Sequence, residues 1–246
     1  MYKKTYDNEY LEKLQLLFRD TKQRSYDLLQ PHTNETIADI GCGTGQDAVN
    51  ISKSGAKIFA IDHDQDLINL AVQRYKNEAI EFICCEANSI PIKSNTIDKI
   101  RFDRVFQHIG NHDEIIREAK RLLKPKGEIQ IIDTDYFSMS IFLRNEVLER
   151  KIIDAITYDR FKGASQIRSI PDILRKHFFQ VKTFEIKNYI ITDFELANYI
   201  IRFDKIVNEE FEKGNISSNE LIYWEQSKTE HFNLSLNLIL IVAIYV

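Results

Sequence analysis

Glycine and proline are scarce in this chain of 246 residues, at eight and four. So few turn and breaker residues argue against a low-complexity, collagenous or mainly disordered chain. Cysteine is scarcer still. Cys42, Cys84 and Cys85 make an odd count with no C-x-x-C pair, which disfavours both a disulfide framework and a zinc ribbon, and no metal is expected. Long apolar runs are missing too: Leu238 to Val246 is the longest, far short of the ~20 residues of a membrane-spanning helix. Met1 to Gln15 carries six charged residues and no apolar stretch, so no secretory leader is read there. Positive charge is not in excess. Thirty-three Lys and Arg face 37 Asp and Glu, a net charge of −4, without the electrostatic footprint of a dedicated nucleic-acid binder. The expectation is a soluble protein of a reducing, cytoplasmic compartment, with no nucleic-acid or membrane partner.

What is present is an alternation of short apolar runs with helical patterns. The start is helical: Asp7 or Asn8 can cap a helix carrying Leu11, Leu14, Leu17 and Phe18 at three- and four-residue steps, and a further turn around Tyr26 to Leu29 stops at Pro31. From Thr36 on, 36–40, 57–61, 80–85, 99–102 and 128–132 read as strands, and 46–54, 65–75 and 113–123 as helices. That alternation predicts βαβ units around a parallel sheet, an α/β class. Beyond Ile132 the pattern predicts helix over 137–160 and 171–179 and strand over 181–191. It then gives helices opening on Thr192-x-x-Glu195 and Ser217-x-x-Glu220 as capping boxes, and a last strand over 234–246. Residues 192–232 hold nine acidic and four basic side chains, a poor surface for phosphate backbones. No linker interrupts the chain. It reads as one domain, 1–246: a helical cap at 1–35, a core at 36–136, and helical insertions at 137–165 and 192–232.

The strongest chemical signal is Ile37-Ala38-Asp39-Ile40-Gly41-Cys42-Gly43-Thr44-Gly45, a strand running into a G-x-G-x-G turn and then a helix. Glycines are needed where the chain reverses sharply and a ligand must approach the backbone. Twenty-one residues after Gly41, the second strand ends at Asp62, where a carboxylate can accept both ribose hydroxyls of an adenosine ligand. The other reading of Asp62 is a cap for the helix beginning near Asp64. The third glycine comes only two positions after Gly43, unlike the dinucleotide G-x-G-x-x-G, and Asp47 follows in the first helical turn. An acid there would repel a pyrophosphate and tolerate a ligand bearing an ammonium and a sulfonium, which points to S-adenosylmethionine.

These residues resemble the class I S-adenosylmethionine-dependent methyltransferases, and later motifs extend the likeness. Phe82-Ile83-Cys84-Cys85-Glu86-Ala87 with Ile90-Pro91-Ile92 is similar to the family's F-x-x-G-D-A-x-x-L-P-F. The resemblance implies that Glu86 and the Ala87 amide hold the adenine edge, although Cys85 stands for glycine and Glu86 for aspartate. Arg101 to His108 resembles an R-x-D-R-V-L-Q-H signature, Leu122 to Gly127 an L-x-P-G-G turn with Lys126 for glycine, and Asp133 to Tyr136 a D-P-D-W segment. The family fold then implied is Rossmann-like. It has a seven-stranded, mainly parallel sheet, an antiparallel C-terminal hairpin from 181–191 and 234–246, helices on both faces, and the insertions covering the substrate side.

The implied cofactor set is Asp39, Gly41, Cys42, Gly43, Gly45, Asp62, His63, Glu86, Ala87 and Arg104, with His108 and Arg104 as the candidates for catalysis. His108 can take a proton from a nucleophile or simply pack at a helix start. Arg104 can grip a carboxylate, of the cofactor's methionine part or of the acceptor, or pair with Asp103 or Glu86. His63 can lie against adenine or in solvent. Asp39 can brace the glycine turn through backbone amides or lie near the cofactor's ammonium. Cys84 and Cys85 point to opposite faces of a strand and read as core or cofactor wall. Tyr6 and Tyr10 can fold over the cofactor or pack locally. There is no N/D-P-P-Y/F motif and no Pro-Cys nucleophile, leaving a small-molecule methyl acceptor. A non-catalytic cofactor-binding module, a protein or RNA methyltransferase needing a partner, and a nicotinamide-dependent oxidoreductase stay open.

Overall fold

The parallel core follows from strands that are apolar on both faces. The computed structural model describes residues 13–14, 16–76, 79–230 and 232–246; Tyr6, Asp7, Asn8, Tyr10 and Leu11 lie outside them. Helix α1 (Arg19–Leu29) leads into β1 (Thr36–Ile40), α2 (Gln46–Ser52), β2 (Lys57–Asp62), α3 (Gln65–Arg74), β3 (Ile80–Cys84) and β4 (Ile97–Asp103). Ile37, Ala38 and Ile40 of β1 and Ile58, Ala60 and Ile61 of β2 are all buried, as strands covered by helices on both sides must be. After a short 3₁₀ turn (Phe106–His108), α4 (His112–Leu122) buries Ile115, Ile116, Ala119 and Leu122 on one face. Asn111 caps it, accepting from Glu114 N at 3.4 Å.

The chain continues through β5 (Leu123–Phe142), α5 (Glu146–Asp154), a π-helical turn (Ala155–Arg160), a 3₁₀ stretch (Ala164–Ser169) and α6 (Ile170–Lys176). It closes with β6 (Phe179–Ile191), α7 (Phe194–Ile201), α8 (Phe203–Glu212), α9 (Ser218–Glu230) and β7 (Asn233–Tyr245). The sheet has seven strands in the order β3-β2-β1-β4-β5-β7-β6. β1 to β5 pair in parallel, and β7 runs antiparallel to both β5 and β6. Ile40 lies level with both Ile61 and Phe102, so the loops after β1, β2 and β4 share one rim at the carboxyl ends, where open α/β sheets bind ligands.

Two expectations are corrected. The helix expected over 137–160 begins only at Glu146. Before it, Met139, Ile141 and Leu143 are buried and alternate with Ser138, Ser140 and the exposed Phe142, a two-residue period that keeps β5 paired to β7. The helix expected from Thr192 is capped by Asp193, which accepts from Leu196 N at 3.1 Å, and it breaks at Arg202, whose φ of 64° ends α7. Lys126, where the family has glycine, takes a φ of 67°. The Ser217–Glu220 box forms as expected: Glu220 N donates to Ser217 Oγ at 3.3 Å and Ser217 N to Glu220 Oε2 at 2.8 Å.

Candidate functional site

Gly41, Gly43 and Gly45 all lie in the left-handed region, at φ 78°, 54° and 79°. A Cβ on Gly41 would sit 2.3 Å from Val105 Cγ2, so close packing against the β4 loop requires glycine there. The turn is tied to β2: Gly41 N and Cys42 N both donate to Ile61 O, at 2.7 and 2.9 Å. Gly43 N donates to Asp62 Oδ2 at 2.8 Å and Asp64 N to Asp62 Oδ1 at 3.0 Å. Burial works to raise the Asp62 pKa, but these backbone donors and the His63 ring, 3.2 Å from Oδ1, outweigh it and hold the carboxyl below its ordinary value. His63, largely exposed, is pushed up in turn by Asp62. The cap of α3 is Asp64, which accepts from Asp66 N and Leu67 N at 2.9 and 3.3 Å. Asp62 therefore braces the glycine turn and does not cap the helix.

Behind the turn lies a buried charge cluster. Arg101, wholly buried in β4, donates to Asp39 at 3.2 Å, Asp47 at 3.1 Å and Asp103 at 2.8 Å. From α1, Lys22 reaches Asp47 at 2.5 Å and Asp103 at 3.0 Å, and Tyr26 donates to Asp47 at 2.6 Å. Asp39 is corrected here: among the described residues its side chain is held by Arg101 rather than by backbone amides, and it does not wall the cavity described below. Burial pushes its carboxyl upward, and Arg101 opposes the shift. Asp47, read as a bare acid that would repel phosphate, has its charge met by Lys22 and Arg101. Lys22 and Arg101 were missed as site residues; the available signal for Arg101 was an arginine set between Ile100 and Phe102 in β4, and Lys22 in α1 carried none.

These elements surround a cavity of about 490 Å³, within the range of small-molecule sites. Gly41, Cys42, Gly43 and Asp62 line one side, with Glu86 and Ala87 beyond the tip of β3; Gly45, at the start of α2, does not reach the wall. Arg104, just past the end of β4 and with a φ of 58°, also lines the cavity and donates from Nε to Asp103 Oδ1 at 3.0 Å. The Asp103 pairing expected for Arg104 is present, and its side chain still borders the cavity. His108 also lines it, 3.0 Å from the Gln107 amide and 5.4 Å from the Phe161 ring. Cys85 borders the cavity, whereas Cys84 is exposed and belongs to neither core nor wall.

Among the described residues the cover comes from Arg160, Phe161 and Lys162 and from Leu14, and no wall residue comes from 192–232. The helices of that segment pack instead on the β5–β7 face, where Phe194, Phe203, Trp224 and Phe232 cluster. The acidic insertion is thus a second core and not the lid that the sequence suggested.

Residues 38–131 match a family model described as a methyltransferase domain. The chain is 26% identical over 100 residues to a ubiquinone/menaquinone biosynthesis C-methyltransferase of Desulfotalea psychrophila, covering 40% of this chain and 41% of that protein. The chain spans 37–46% of the length of such curated relatives. A Bacillus halodurans structure assigned to the methyltransferases superposes with a TM-score of 0.69 at 16% identity, covering 92% of this chain and 99% of that one. A SAM-dependent methyltransferase from Aquifex aeolicus superposes at 0.58 and 16% identity, covering 98% and 100%. At such identities the two structures speak for the fold.

Proposed function

We propose that the chain, whose residues 38–131 match a methyltransferase-domain model, is a class I S-adenosylmethionine-dependent methyltransferase that methylates a small-molecule acceptor. The observation carrying this reading is that the glycine turn and the Asp62 carboxylate, hydrogen-bonded to one another, face one cavity at the strand tips. The fit to the cofactor rests on that pair: a backbone stripped of side chains beside an acid whose oxygens keep lone pairs for hydroxyl donors.

S-adenosylmethionine is the cofactor, and when bound it supplies an electrophilic methyl group on sulfur. The chain's own part is to bind, align and exclude water. Gly41, Cys42 and Gly43 admit the ligand to the backbone, and Asp62 accepts from the ribose. Glu86 and Ala87 stand at the adenine edge, with His63 beside them. Arg104 grips a carboxylate in the cavity. His108 stands where it can take a proton from an acceptor that must lose one, which a neutral amine need not do before attack. Phe161, stacked on Tyr136 at 4.7 Å, closes the acceptor end against solvent.

We also read 1–246 as one domain with its cofactor-binding core at 36–136, working in the cytoplasm without nucleic acid. No described helix is long and apolar enough to cross a membrane. Calorimetry with S-adenosylmethionine, S-adenosylhomocysteine and NAD tests the cofactor half, and labelled-methyl transfer into a metabolite library tests the acceptor half. The expected result is binding of the two sulfur ligands, no binding of NAD, and a labelled small molecule. Binding of NAD alone would replace this reading with an oxidoreductase, and label appearing only in protein or RNA would replace the acceptor.

A further inference from the structure

The charges around the cavity are unevenly matched. Its acids are Asp47, Asp62, Asp64, Glu86 and Asp103. Lys22 is taken up by Asp47 and Asp103, Arg104 by Asp103, and His63 by Asp62. Arg160 differs. It is half-buried, its Nε is shut off from solvent without a hydrogen-bond partner, and no carboxylate pairs with it among the described residues. Its one described contact is the face of Phe161, 5.5 Å from the guanidinium carbon. Lys162 stands exposed on the same rim, again with no ion pair among the described residues.

This segment is held rigidly. Gly163 N donates to Gln107 O at 3.0 Å, and a Cβ on Gly163 would lie 1.8 Å from Phe106 O and 2.3 Å from Ile109 O. His112, buried, bonds Phe106 O at 2.8 Å, and its Nε2 would lie 2.7 Å from the same added Cβ. The backbone at Gly163 is therefore clamped to the turn that carries His108, which keeps Arg160 and Lys162 beside the cavity they line. Arg160 also ends a π-helical turn, a rare geometry that recurs at functional positions.

We propose that the methyl acceptor is an anion, bearing a carboxylate or a phosphate that Arg160 binds, with Lys162 adding charge at the rim. The proposal rests on the cavity being the methyl-transfer site. A guanidinium presents a planar fork that matches either oxyanion with two parallel hydrogen bonds. A buried N–H without an acceptor is costly, and such a ligand would satisfy it. Phe161, lying between the two cations in sequence, gives the ligand's apolar body a flat surface. The cationic end and the cofactor end then lie on opposite sides of one cavity, which orients an acceptor whose reactive atom is remote from its charge.

Benzoate, phenyl phosphate and benzamide share a ring and differ in charge, so they serve as probes. Each is titrated by NMR into the full chain, with and without S-adenosylhomocysteine. At least one anion is expected to bind tenfold or more tightly than benzamide, and the tighter of the two distinguishes carboxylate from phosphate. Arg160→Gln should weaken that anion at least tenfold while holding the S-adenosylhomocysteine affinity within twofold, and Arg160→Lys should recover part of the loss. Equal binding of benzamide, an unchanged anion affinity in a folded Arg160→Gln, or no anion binding to the unaltered chain would each overturn the proposal. Loss of S-adenosylhomocysteine binding by the unaltered chain would instead overturn the methyltransferase reading, and the titration without it keeps the two failures apart.

Discussion

The two sides of the cavity are built on opposite electrostatic plans. On the strand side the side chains arrive already engaged: Asp62 with two backbone amides, Arg104 with Asp103, and Asp39, Asp47 and Asp103 with Arg101. On the cover side the backbone is fixed by Gly163, and the cations it presents have no carboxylate partner among the described residues. The difference matches the two tasks. A constant cofactor can be met by groups preset in one geometry, whose reorganisation cost is removed in advance. An acceptor is selected by what it alone can satisfy, and a guanidinium lacking an acid partner rejects any molecule that leaves it so.

The most severe way to break this comparison is to remove an arginine from each side. Arg101→Ala would strip Asp39 of its paired cation and leave Asp47 to Lys22 and Asp103 to Lys22 and Arg104, and unpaired buried charge typically costs about 3–5 kcal/mol. Chemical denaturation should show a loss of that size. Arg160→Gln should change stability by no more than about 0.5 kcal/mol, because no pair is broken. Equal losses in the two variants would mean that Arg160 serves a structural contact and that the contrast between the two sides is false.

Next in size is Asp62, which carries the strand-side reading. Asp62→Ala should weaken S-adenosylmethionine binding by roughly one to three orders of magnitude, since each hydrogen bond to a charged group is worth ~1.5–3 kcal/mol. It should also lower stability, because Gly43 N and Asp64 N lose their acceptor. Asp62→Asn keeps one acceptor oxygen and should do less of both. A variant that melts early yet binds the cofactor normally in calorimetry would reduce Asp62 to a brace of the turn.

The same contrast explains what could be read in the sequence. The strand side is written in contiguous segments. Gly41 to Gly45, Asp62 and Glu86-Ala87 each sit just past an apolar run, and a run that ends in a turn is visible in one dimension. All of them except Gly45 reach the cavity. The charge cluster was only half visible, because Lys22 meets Asp47 and Asp103 through α1, far away in the chain. The cover was misread for two reasons. Met139 and Ile141 alternate with serines over too few residues to outweigh the helical pattern that follows. The acidic helices were expected over the substrate because the family resemblance implied it, and their own pattern says nothing of what their apolar faces cover. Arg160 to Gly163 carries no motif at all; it becomes legible only when Gly163 is seen against Phe106 O and Ile109 O.

The smallest predicted effect separates a lid from a core. If α9 belonged to the acceptor's enclosure, loosening its start would alter ligand affinity as well as stability. Its start is a reciprocal cap: Ser217 N and Oγ both donate to Glu220 Oε2 at 2.8 Å, and Glu220 N donates to Ser217 Oγ at 3.3 Å. Lys151 of α5 also holds Glu220, at 2.7 Å, and these hydrogen bonds pull its pKa down to about 2. Ser217→Ala removes the hydroxyl and nothing of the Lys151 contact, so the expected cost is that of one N-cap, about 1 kcal/mol. Because α9 contributes no residue to the cavity wall, the affinities for S-adenosylmethionine and for the anionic probes should stay within twofold. A thermal melt and the two titrations on this variant measure both quantities. A drop in anion affinity larger than the stability loss accounts for would return the acidic helices to the substrate side and make the cover larger than Arg160, Phe161 and Lys162.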